Sequence, residues 1–79
     1  MPRFYFHLRY DHESSDGEGV DLPDFSAAWA EAVRACGEML EELEGSLDPD
    51  IPFEMTIADS AVRPICLLRF TAEFLRPPV

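Results

Sequence analysis

Metal chemistry is the first possibility raised by residue type. His7 and His12, with Asp11, Glu13 and Asp16, supply nitrogen and oxygen donors within ten positions. Their spacing fits no established loop. Counted from Asp11, the sixth position of a calcium loop would be Asp16 instead of glycine, and the twelfth Leu22 instead of a bidentate acid. A solvated acidic loop is the expected reading of residues 11–18, with a small-ligand or cation binder as the alternative. Cys66, His7 and Asp59 offer the residue types of a nucleophile, base and orienting acid. Strand parity separates them, because Cys66 is assigned to the face opposite His7. Asp16-Gly17-Glu18-Gly19 is acidic where a phosphate would sit and leads into no helix directly, so it is no phosphate loop. No catalytic group, cofactor or metal ligand is therefore assigned, and the chain is expected not to be an enzyme.

The elements that would position these residues follow from hydrophobic periodicity. Phe4, Phe6 and Leu8 alternate with Tyr5, His7 and Arg9, the period of a half-buried strand over residues 3–9. A polar loop over residues 10–19 follows, and Val20-Asp21-Leu22 adds a short extended stretch that could pair as a fourth strand. Asp24 is a good N-cap. From there Phe25, Ala28, Trp29, Ala32, Val33, Cys36, Met39, Leu40 and Leu43 share an arc of roughly 140° at 100° per residue. That predicts a helix over residues 25–43, about 28 Å long, with Gly45 as its left-handed C-cap. Phe53, Met55 and Ile57 give a strand over residues 53–58. A last strand covers residues 63–70 with Cys66, Leu68 and Phe70 inward, and Pro77-Pro78 ends ordered structure.

The expected fold class is a small α+β domain, β-loop-α-β-β, in which one amphipathic helix covers one face of a three- to four-stranded, mostly antiparallel sheet. The core comprises the inward strand residues and the helix stripe, Trp29 included. With 79 residues there is room for one domain.

Pro2 to His7, the run Glu18-Gly19-Val20-Asp21-Leu22-Pro23-Asp24 before an alanine-bearing helix, and Ala58-Asp59 before a hairpin to Arg63 resemble a family of small bacterial proteins of unknown function. The resemblance implies the same β-loop-α-β-β layout and carries no assigned activity. The chain departs from that pattern at Val62, where the family places glycine before the hairpin arginine.

Charge narrows the classes of partner. The net charge is −10, and residues 10–59 hold 15 of the 16 acids with Arg34 as their only Lys or Arg. Such a balance disfavours nucleic acid and anionic membrane partners, whose affinity comes from clustered cations. No apolar run approaches a membrane span or a secretory leader, and the two cysteines fall on core-facing positions as reduced thiols, so a cytoplasmic protein is expected. The function expected is a protein-interaction module, with a homodimer or another protein as partner. An acidic decoy of nucleic acid is a further alternative. The surface assigned to contact is the outer sheet face: Tyr5, His7, Arg9, Glu54, Ile65, Leu67 and Arg69. Tyr5, Ile65 and Leu67 make it too apolar for a solvated face.

Overall fold

The computed structural model describes residues 1–77; Pro78, half of the expected terminating pair, lies outside them. The chain runs β1 (Arg3–Tyr10), β2 (His12–Ser14), β3 (Val20–Asp21), α1 (Phe25–Leu43), β4 (Phe53–Ala58) and β5 (Pro64–Phe70). All neighbouring strands are antiparallel, in the order β2-β1-β4-β5, with β3 pairing the start of β1. The α+β class and the helix bounds agree with the periodicity. The sheet gains β2 from the segment expected to be loop. Asp11 takes a positive φ of 68°, a backbone shape that aspartate tolerates in tight turns, and this reverses the chain so that Glu13 pairs with Arg9.

Register fixes the two faces of the sheet. Phe6, Ile57 and Cys66 lie in one row, and Leu8, Met55 and Leu68 in the next. These side chains point toward α1, with Phe4, Met55 and Ile57 buried in the core. His7, Thr56 and Leu67 form a row on the outer face, as do Arg9, Glu54 and Arg69.

The helix starts where Asp24 accepts a hydrogen bond from the Ala27 N–H at 3.0 Å. It ends one residue earlier than a Gly45 cap would require. Glu44 carries the positive φ, 36°, and donates its N–H to the Leu40 carbonyl before a 3-10 turn over Glu44–Ser46.

The larger difference from expectation is the rotation of the helix about its axis. Ala28 and Ala32 are fully buried, and Ala35, Cys36 and Met39 pack beside them. Phe25, Trp29 and Val33, all assigned to the core by the wheel, are 40%, 46% and 47% exposed. Phe70 on β5, also assigned to the core, is 46% exposed. The reason is steric. Alanines let the helix axis settle close to β4, while tryptophan and phenylalanine under the axis would hold it away. The seam centred on Ala28, Ala32, Ala35 and Met39 therefore faces the sheet, and the bulky stripe lies about 90° round the helix.

Candidate functional site

Two surfaces deserve comparison, the outer sheet face and the apolar strip left open beside the helix. The outer face is organised by the loop between β2 and β3. Asp16 Oδ1 accepts the N–H groups of Glu18 and Gly19, both at 3.0 Å, and Oδ2 accepts the Phe6 N–H at 3.2 Å. Its own N–H donates to His7 Nδ1 at 3.0 Å. Burial pushes the Asp16 carboxyl up, but the three N–H donors outweigh burial and hold it below the usual carboxylate range. The residue is a clamp joining loop to strand. Its carboxylate is committed to backbone donors, and among the described residues no three His, Cys, Asp or Glu side chains gather as a metal-holding group.

With Nδ1 accepting, the neutral His7 ring carries its proton on Nε2. His7 lines an open cleft of about 470 Å³ with Arg9, Glu13, Ser15, Thr56 and Leu67 among its neighbours. Tyr5 stacks on His7, ring centres 6.4 Å apart. Arg69 Nε donates to Glu54 Oε2 at 2.7 Å, so two of the charges on this face are already paired. Register places Tyr5, His7, Arg9, Glu54, Leu67 and Arg69 on one face, while Ile65 falls at the slip between β4 and β5 and has no partner that fixes its side. Among the described residues of that face, the large apolar side chain left exposed is Leu67, on β5. Cys66 sits on the helix side and His7 on the outer side, so the thiol and imidazole do not meet.

The second surface was hidden in the sequence by the assignment of Trp29 to the core. Glu31, Ala35 and Met39 share a hollow with Phe6, Ser15 and Val20, which places that side of α1 over β1 and its loops. The opposite flank, carrying Trp29, Val33 and Leu40, therefore lies on the β5 side. Below it the inner face of β5 presents Cys66 and Leu68, half-buried, and Phe70, exposed. Burial raises the Cys36 thiol above its ordinary value, in keeping with a side chain that packs, its Sγ 3.7 Å from Met55 Sδ. Going round the helix from Phe25 through Trp29, Val33 and Gly37 to Ala30, the arc of roughly 140° holds no charged side chain. Glu31, Arg34, Glu38, Glu41 and Glu42 occupy the other side, where Arg34 pairs with Glu31 and Glu38.

One sequence family covers nearly all of this domain. The model of the Domain of unknown function (DUF6894) matches residues 3–71, and the chain belongs to that family. No curated protein and no solved structure matches it. The family brings no activity, and the function of the chain is unknown. No helix among the described residues is long and apolar enough to cross a membrane.

Proposed function

We propose that the chain is a non-enzymatic protein-interaction module that binds through the flank of α1 formed by Phe25, Trp29 and Val33 together with the adjoining strand β5. The observation that supports this reading is the exposure of Phe25, Trp29, Val33 and Phe70 on an arc and strand free of acids, in a chain of net charge −10. The three aromatics alone leave on the order of 250 Å² open to water. Single exposed apolar residues are ordinary, and an area of this size is within what a monomer's largest apolar patch exposes, so what supports the reading is the grouping of these side chains on one acid-free flank. The outer face supports the reading less well, because Arg69 and Glu54 already pair there and its exposed apolar side chain, Leu67, belongs to β5.

Photo-crosslinking in living cells tests the proposal. Val33→p-benzoylphenylalanine should give discrete protein adducts, and Glu41→p-benzoylphenylalanine, on the charged side of the helix, should give none. Equal patterns from the two positions, or no adduct from Val33, would remove the reading.

A further inference from the structure

We infer that the partner is a second copy of this chain, joined by antiparallel pairing of β5 with its twofold mate so that the two sheets become one. The inference rests on the interaction reading and adds the identity of the occupant.

The sheet has two edges, and they differ. One is blunted, since β2 and β3 are three and two residues long and β2 carries His12 and Glu13. The other is β5, seven residues long and, among the described residues, hydrogen-bonded only to β4. A long open edge pairs with whatever strand fits it unless charge, proline or a bulge prevents this. On β5 those devices are confined to its start, where Pro64 lacks a donor and the register slips beside Ile57 and Ala58. Cys66 to Phe70 is left free. Its one charge, Arg69, is already paired with Glu54.

Charge explains why the occupant can be the same chain. Two molecules of charge −10 repel through most of their surface. From Ser60 to Ala72 there is no acidic residue, and the helix arc above β5 has none either. On this side two copies can meet without opposing carboxylates.

Distances fit the pairing. A twofold axis normal to the sheet keeps both helices on one face and makes them antiparallel. Each helix lies over β4, so the axes stand three strand spacings apart, about 14 Å. Helices in direct contact lie 8–10 Å apart. The remaining gap is what Trp29 and Val33 from both copies fill, over a floor of Leu68 and Phe70. The flank is bulky and the seam small for this reason. The meeting face runs the length of β5, about 23 Å, and the domain is 20–21 Å deep in its two short dimensions. That gives roughly 500 Å² per copy, near the lower limit for specific association and in the range of weak interfaces, so the dimer is sought at micromolar concentrations.

Sedimentation equilibrium from about 5 to 500 µM, bracketing that range, tests the inference with two substitutions. Val33→Lys places a charge on the flank and should raise the dissociation constant at least about tenfold. Thr56→Lys places one at the centre of the outer face, away from the β5 edge, and should leave it within about threefold. Circular dichroism verifies folding, and Trp29→Lys replaces Val33→Lys if the latter is unfolded. A parent that stays monomeric throughout, or dimers that survive every flank substitution, would overturn the pairing. Dissociation by Thr56→Lys alone would move the interface to the outer face. If the Val33 crosslinker captures a different protein and never a second copy, self-pairing fails while the interaction reading stands; no adduct at all removes both.

Discussion

Replacing Asp16 by asparagine removes a negative charge that three backbone N–H groups share. An asparagine oxygen can accept from Glu18 and Gly19, but its NH₂ would then confront the Phe6 N–H, donor against donor. Hydrogen bonds to a charged acceptor are worth about 1.5–3 kcal/mol where water is excluded. Asp16 is only half-buried, so solvent competes and about 2 kcal/mol in total is expected. For a domain of this size that lowers the melting temperature by about 8–16 °C. Acid should reduce the difference. The folded carboxyl titrates below its unfolded value, so its contribution is complete above about pH 4 and disappears as pH falls through the folded value. The gap between thermal melts of parent and Asp16→Asn therefore narrows as pH falls below about 4. A variant melting within about 3 °C of the parent at neutral pH would refute the clamp, and a gap that widens in acid would refute its electrostatic origin. Asp11→Asn and Glu13→Gln serve as controls, because neither carboxylate accepts a hydrogen bond from the loop, and both should melt like the parent.

Val62 holds a positive φ of 61° in the turn between β4 and β5, a conformation costly for a branched side chain, so Val62→Gly should raise stability by about 1 kcal/mol in chemical denaturation. Ala32→Leu should destabilise by about 1–3 kcal/mol, because Ala32 is fully buried in the helix–sheet seam. Trp29→Ala, on the open flank, should cost about 2 kcal/mol instead of the 3–5 kcal/mol of a fully buried tryptophan; the same denaturation measurement ranks the pair. At Gly37 an added methyl group would meet nothing within 4 Å, so Gly37→Ala should stabilise the helix by about 1 kcal/mol and raise the melting temperature.

Strand alternation and helix bounds were readable because burial imposes a strict period on β1, β4 and α1. Cys66, Leu68 and Phe70 do point inward, because the opposite parity would bury the charge of Arg69. The wheel failed on rotation, since an arc 140° wide is broader than one seam and hydrophobicity alone does not say which part touches the sheet. Residue size does. The alanines at 28, 32 and 35 permit close approach, whereas Phe25, Trp29 and Val33 form a separate stripe. The hairpin of β2 was missed because His12-Glu13-Ser14 has no apolar residue to alternate. Asp16 was treated as one of several loop acids. Its position two and three residues before Glu18 and Gly19 is the spacing at which an aspartate accepts local N–H groups, a signal that was present. The bond to Phe6 was not legible, because only the fold brings residue 6 to residue 16. Of the outer-face set, alternation puts Tyr5, His7, Arg9, Glu54, Leu67 and Arg69 on one side; the bulge that leaves Ile65 without a partner, and the pairing of Arg69 with Glu54, depend on the fold.

Hydrogen exchange at the β5 edge tests the central claim most directly, because it reads the strand itself. Half of the β5 amides donate to β4 in any state, and those facing outward are open to water in a monomer. The outward amides between Cys66 and Phe70 should exchange freely near 5 µM and become protected near 500 µM, a range chosen to bracket a micromolar dimer, while amides of β2 and β3 stay unchanged. Exchange at β5 that is the same at both concentrations would contradict the account.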